Sequence, residues 1–335
     1  MDQLRPPARW SSAIEEARWI AERLGPFAEG VTSVVPAGFD AYARILHPAQ
    51  EPGFGERLVR WREVAAWSAV ALRPDAQFQT VALPPTRPET PPPWRGQGPH
   101  QGQLYLPDAE VLAEVLRGFT TTPEQCFFGL WAGYGFAGTP LVREGSPPAA
   151  PLPDPIPDAV RAGCLVELPG REYLLYEGPV EAVTATAGFG HGQTANLAWP
   201  ADHAWCLASE IDLAWTYVGG SESLVERLLA DERIEALPAG ADDPLTRIEP
   251  FVADLVERGV EELLDNGHTV IATSMGTVEA WLERPTRSRP GALRVRSEHF
   301  DGGRGGSGGP VHQSEDLRKA ATFLLTGAVA GLVGG

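Results

Sequence analysis

Two short stretches, residues 83–93 and residues 147–157, hold six prolines each, and neither can run as a regular helix or a central strand. Proline lacks the backbone N–H that both structures use. The two stretches read as surface segments, and the second is the natural domain boundary. The expected organisation is an N-terminal α+β region over 1–150, a C-terminal α+β region over 151–283, an Arg/Gly-rich tether over 284–313 and a final helix over 314–335.

Between these breaks the apolar spacing outlines elements. Ile14, Ala17, Ile20, Ala21 and Leu24 recur at helical intervals and stop at Gly25-Pro26. Residues 31–35 and 41–46 read as strands, whereas residues 57–72 fill both periods and stay unassigned. Pro107-Asp108 opens a helix with Val111, Leu112, Val115 and Leu116 on one face, and residues 126–131 form an apolar strand. Pro169-Gly170-Arg171 turns a hairpin between residues 164–168 and 172–176, and a further strand fits residues 204–211. A helix follows Gly219-Gly220-Ser221, with Ser223 and Glu226 at capping-box spacing. Another runs from Pro250 to the Asn266-Gly267 stop. Arg284, Arg287, Arg289, Arg294, Arg296 and Arg304 make a basic island that merges into the nearly all-glycine residues 302–309, which read as a flexible tether. Ser314 caps the last helix. The sum is an α+β fold with mixed or antiparallel sheets and several amphipathic helices.

Composition narrows the function classes. A hydrophobic content of 43% with 21% charged residues is that of a folding globular chain. The net charge of −17 repels phosphate backbones and anionic headgroups, which argues against nucleic-acid and membrane partners. Cys126, Cys164 and Cys206 are odd in number and widely spaced, so reduced thiols and a cytoplasmic setting are expected, the more so as the start has no apolar signal region. Lys319 is the only lysine and has no glycine loop before it, which leaves no Walker-type phosphate site.

Three stretches could carry chemistry. Gly133, Gly135 and Gly138 have dinucleotide-fingerprint spacing, but Thr139-Pro140 follows where a helix must begin, so a glycine-rich turn is expected. An apolar run enters Ala272-Thr273-Ser274-Met275-Gly276, which resembles the nucleophile elbow of the α/β-hydrolase fold; Asp301 and His312 then follow in the order acid, histidine. The competing and favoured expectation there is a β-hairpin turning at 274–276. Densest in polar groups is Asp202-His203-Ala204-Trp205-Cys206-Leu207-Ala208-Ser209-Glu210-Ile211-Asp212. Period two along a strand puts Cys206, Glu210 and Asp212 on one face and His203 on the other, so a thiol-imidazole pair would need another histidine such as His191. Two carboxylates on one face suit a cation or an acid and base; more often they pair with arginines.

The run Trp199-Pro200-Ala201-Asp202-His203-Ala204-Trp205-Cys206, with Glu210-Ile211-Asp212 and Thr216-Tyr217-Val218-Gly219-Gly220-Ser221, resembles a group of uncharacterised actinobacterial proteins. That resemblance implies a bacterial cytosolic origin and brings no activity, cofactor or catalytic residue with it. The leading expectation is a non-catalytic binding protein for an unknown protein or small molecule, with no cofactor. Its binding residues are Asp202, Cys206, Glu210 and Asp212, and Trp94, Trp131 and Trp199 lie on a partner surface. The alternative is a serine hydrolase using Ser274, Asp301 and His312.

Overall fold

The computed structural model describes residues 4–5, 7–27, 29–50, 57–82, 98–134, 155–189, 192–245, 250–272, 276–283, 292–299, 304–310, 318, 321–322 and 324–325. The chain divides into two compact units, Met1–Trp61 with Gly96–Asp243, and Arg62–Arg95 with Pro244–Gly335. The α+β class expected from the sequence is the one observed. No helix among the described residues is long and apolar enough to cross a membrane.

In chain order the strands of unit 1 are β1 (Arg9–Trp10), β2 (Ala41–Leu46), β3 (Ala49–Gln50), β4 (Leu58–Val59), β5 (Cys126–Trp131), β6 (Val166–Leu168), β7 (Arg171–Gly178), β8 (Leu197–Pro200), β9 (Cys206–Ala208), β10 (Trp215–Gly220) and β11 (Ala236–Ala239). Nine of them form one antiparallel sheet in the order β1-β7-β5-β8-β9-β10-β2-β11, with β6 paired to β7, while β3 and β4 make a separate ladder. β5 pairs with both β7 and β8. A domain boundary at 150 is therefore wrong, because strands on either side of the proline-dense stretch hydrogen-bond to each other.

Alternation decides the two faces of this sheet. Ile45, Phe128, Leu130, Leu174, Leu207 and Val218 are buried on one face in a single core cluster with helices Leu106–Arg117 and Glu222–Leu229. Each such side chain contributes ~1.5–3 kcal/mol when fully buried. The first helix begins as Pro107 predicts, and Asp108 accepts two hydrogen bonds from Arg60, at 2.6 and 2.7 Å. The unassigned stretch resolves into β4 and a helix Trp61–Ser68 whose first indole donates to the His47 carbonyl at 2.7 Å. Two expectations fail locally. Residues 31–33 form a 3-10 turn instead of a strand, held by bonds such as Val34 N–H to Val31 O at 3.0 Å. The second helix is capped by Ser221, whose Oγ accepts from Leu224 N–H at 3.2 Å, and not by Ser223.

Unit 2 carries helix Pro250–Asn266 and a four-stranded antiparallel meander of β12 (His268–Ala272), β13 (Gly276–Glu283), β14 (Ala292–His299) and β15 (Arg304–Pro310). Gly267 ends the helix at φ +73° and donates its N–H to Leu263 O at 2.8 Å, a conformation glycine adopts without strain. Val256, Val260 and Leu263 of the helix pack with Ile271, Val278, Ala280, Leu293 and Val295 of the sheet, and with Ala321 and Leu325 near the chain's end. The tether expected over 284–313 is corrected, since β14 and β15 pair residue for residue within it. Backbone hydrogen bonds need no side chain, and glycine shows no period to read.

Around Ser274 the favoured hairpin forms, with Ile271 opposite Val278 and Ala272 opposite Thr277. Ser274, Asp301 and His312 lie outside the described residues. The stretch that an elbow needs as helix is strand β13, so the strand-to-helix turn of the hydrolase pattern is not made there. Of the Gly133–Gly138 stretch only Gly133 and Tyr134 are described, at the turn that leaves β5.

The cap assignment predicts unequal costs. Ser221→Ala should lower unfolding stability by ~1 kcal/mol, and Ser223→Ala by less than ~0.5 kcal/mol, in urea denaturation followed on the unit 1 transition. Equal losses would contradict it.

Candidate functional site

The segment richest in expected site residues runs from the turn after β8 to the turn before β10, and its polar groups go to separate places. Asp202, ahead of β9, accepts from Thr120 Oγ1 at 2.8 Å, Thr121 N–H at 2.6 Å, Thr121 Oγ1 at 2.7 Å and Ala204 N–H at 3.2 Å. Burial works against its charge, yet these donors together hold its carboxyl below the usual range. Asp202 thus ties two turns together. His203, at φ +56°, stacks on Trp19 with ring centroids 4.4 Å apart.

Cys206 is fully buried, and burial pushes its thiol up; the same cause pushes Cys126 up to about 12. Neither forms the thiolate that nucleophilic or metal chemistry needs. Among the described residues no three His, Cys, Asp or Glu side chains group as a metal site. His191 lies outside the described residues.

Glu210 and Asp212 do come together, though not by strand alternation, because β9 ends at Ala208. Both turn onto Arg171 at the start of β7. Arg171 Nε donates to Glu210 Oε1 at 3.0 Å, a second guanidinium N–H reaches the same carboxylate, and one reaches Asp212 Oδ2 at 2.8 Å. The sequence shows why Arg171 is there. Pro169-Gly170 makes the hairpin turn with Gly170 at φ +72°, and a Cβ on Gly170 would lie 2.6 Å from the Phe27 ring, which also carries the guanidinium at 5.0 Å. Burial raises both carboxyls above their ordinary values against the opposing pull of Arg171. One guanidinium shared by the buried Glu210 and the half-buried Asp212 is a lock between β7 and the β9–β10 turn. A shallow depression beside it, lined by Leu24, Val34, Pro169, Tyr173 and Leu197, holds about 310 Å³ of space, open solvent included.

Sequence reasoning missed a second buried polar group in unit 1. His47 Nδ1 lies 2.8 Å from the His100 carbonyl, which can only accept, so Nδ1 carries the hydrogen. Burial lowers this imidazole to about 4, so it is neutral, and its Nε2 accepts from Thr216 Oγ1 at 2.9 Å. Thr216 in turn accepts from Ser209 Oγ at 2.6 Å. With Asn196 Nδ2 donating to Gly102 O at 2.9 Å, the chain pins the segment that precedes helix Leu106–Arg117. Nothing in the local spacing of these residues announces it, because His47, Gly102, Asn196 and Thr216 are far apart in sequence.

The expected tryptophan surface is corrected at Trp199. Trp199 is fully buried and stacks on Phe127 at 5.7 Å, Trp131 is half-buried against Tyr134, and Trp94 lies outside the described residues. Large rings went inside because burial of their area stabilises the sheet more than exposure would.

Unit 2 instead leaves a regular face outside. Thr269, Ile271, Val278, Ala280, Leu293 and Val295 are buried, so their alternates point outward. Register aligns the alternates in two rows, His268–Trp281–Arg294–Gly308 and Val270–Glu279–Arg296–Gly306. Val270 is 50% exposed, Trp281 is half-buried, and Arg294 and Arg296 are exposed. Glu279 accepts from His268 Nε2 at 3.0 Å and from Arg296 at 2.5 Å, and these two partners, His268 first, hold its carboxyl below the ordinary range. No family model, no curated protein and no solved structure matches the chain.

The lock on Arg171 is testable by its pH dependence. Glu210 and Asp212 titrate higher in the folded chain than in the unfolded one, so the folded state binds extra protons between the two values, and acidification through that window favours folding. Arg171→Ala should cost ~3 kcal/mol near pH 7 by stranding the buried Glu210 carboxylate beside the half-buried one of Asp212, and clearly less near pH 5. A loss under ~1 kcal/mol, or one indifferent to pH, would contradict the lock.

Proposed function

We propose that the chain is a non-catalytic binding protein that meets its partner through the outward face of β12, β13 and β14. The observation that carries this reading is the row structure of that face: an aliphatic side chain and an indole stay accessible on a regular, well-supported sheet while arginines flank them. Tryptophan and arginine are the residue types that dominate binding energy at protein interfaces, and a rigid sheet holds them without an ordering cost.

The fate of the chemically versatile residues supports the same reading. Asp202, Cys206, Glu210 and Asp212 serve the packing of unit 1, through saturated turns, a buried thiol and the Arg171 lock. Cys126, Cys164 and Cys206 are free thiols, which fits a reducing, cytoplasmic setting. The resemblance to the actinobacterial group fits that setting too and adds no activity.

A photo-crosslinking amino acid placed at Val270 in cells should give one discrete protein adduct, reduced roughly tenfold by Trp281→Ala, and the same probe at Glu257 on the exposed side of the helix should give none. Adducts of equal yield at both positions, or none at Val270, would sink the proposal.

A further inference from the structure

The hydrogen-bonded chain through His47 runs from the interior of unit 1 to solvent. Ser209, Thr216 and His47 are buried, whereas the His100 ring is exposed and meets Gln50 Nε2 at 2.8 Å. Both imidazole nitrogens of His47 are spent on neutral groups, the His100 carbonyl and the Thr216 hydroxyl, and among the described residues no carboxylate bonds to either. The charges around the ring would not compensate one placed on it. On β2, Arg44 carries a like charge, held over the Trp61 and Trp215 rings. Trp61 donates its indole N–H to the His47 carbonyl, and Glu235 lies behind it, accepting Trp61 N–H at 2.6 Å. Glu210, next to Ser209, is turned onto Arg171, and from residues 98–105 the titratable group facing the imidazole is the His100 ring.

A proton added to this ring has one place to go. Nδ1 already carries a hydrogen, so the new one sits on Nε2, which faces a hydroxyl that is donating to it. Thr216 must then turn its hydrogen towards Ser209 Oγ, 2.6 Å away, and Ser209 must turn its own out towards the depression it helps to line. The hydrogen bonds are re-made, but the charge stays inside without a counter-ion, and an unpaired buried charge is expensive. Water reaches it most cheaply through the segment over Nδ1. Residues 98–101 are exposed or half-exposed. Gly102 beyond them is pinned by its N–H to Leu213 O at 3.0 Å and by its carbonyl, which accepts from Asn196 Nδ2 and Tyr134 OH.

We infer that His47 is an acid-sensitive latch: neutral, it holds residues 98–105 down, and a proton on Nε2 releases them. Release loosens the chain that leads into helix Leu106–Arg117 and frees the Asn196 and Tyr134 groups that bond to Gly102. The sign follows from burial. Closed, the imidazole takes up a proton only at about 4; open to water it does so at the ordinary 6.5, so the open form binds the extra proton. The latch is at full strength above that ordinary value and weakens roughly tenfold per pH unit as pH falls from there towards 4. The Arg171 lock has the opposite sign, since acid favours its folded form, and the two are therefore separable in one titration.

The test is amide hydrogen exchange of the full chain between about pH 7.5 and 5.5, above the isoelectric point near 4.8. It is read at His47 and Gly102, whose N–H groups donate to Ala214 O and Leu213 O. After division by the intrinsic rate, opening at both should rise roughly tenfold across that range, while Phe128 and Leu130 in β5 change by less than about twofold. Side-chain NMR of His47 should show no titration step down to about pH 5.5. His47→Gln, which takes up no proton, should hold the Gly102 rise below about twofold, and His100→Gln, which keeps the carbonyl, should leave it in place. A Gly102 rise no steeper than that of β5 overturns the latch. So does a rise that survives in His47→Gln, one abolished by His100→Gln, or a His47 that titrates near 6.5. The first and last of these are read on the parent chain and do not depend on either variant folding.

Discussion

Strand register in the four-stranded meander is the constraint on which the functional reading depends. With Ile271 opposite Val278 and Ala280 opposite Val295, the apolar alternates close on helix Pro250–Asn266, and Trp281, Val270, Arg294 and Arg296 are left outside together. A slip of one residue would invert the faces, putting two arginines into the core. Burying those charges unpaired would cost far more than burial of Trp281 and Val270 could return, so one register is strongly specified.

Unit 1 shows the same logic with the opposite result. Its nine-stranded sheet uses one face for helices Leu106–Arg117 and Glu222–Leu229, and absorbs its large rings and charges into internal ties. Arg171 between Glu210 and Asp212, Arg60 on Asp108, and Asp202 on the 120–121 turn each join segments distant in sequence. Such ties over-determine the relative placement of strands, and they engage the carboxylates that looked reactive in structural hydrogen bonds. Unit 1, with 13 arginines against 29 carboxylates, also holds nearly all of the chain's net negative charge.

What the sequence made legible follows from the range of the forces involved. Helix Leu106–Arg117, the β6–β7 hairpin at Pro169-Gly170, and helix Pro250–Asn266 with its Gly267 stop rest on local spacing and turn chemistry, and they appear where expected. Pairing across the proline-dense stretch was not legible, because β5 meets β7 and β8 through backbone bonds that leave no mark on either segment alone. Residues 304–310 misled for a related reason: glycine has neither a side-chain period nor a face, so a strand and a tether look alike. Of the site, Glu210 and Asp212 were visible as a pair, but their common partner Arg171 was 39 residues away from Glu210. The outward face of unit 2 was hidden altogether, since Trp281 and Arg294 become neighbours only through register.

The most direct measurement of the central claim is hydroxyl-radical footprinting of the free, full-length chain, read by mass spectrometry at each tryptophan. Trp281 should oxidise several times faster than Trp61, Trp199 and Trp205, which are buried in unit 1. Oxidation of Trp281 as slow as that of those three would place its ring inside, and the sheet face on which the binding reading stands would not exist.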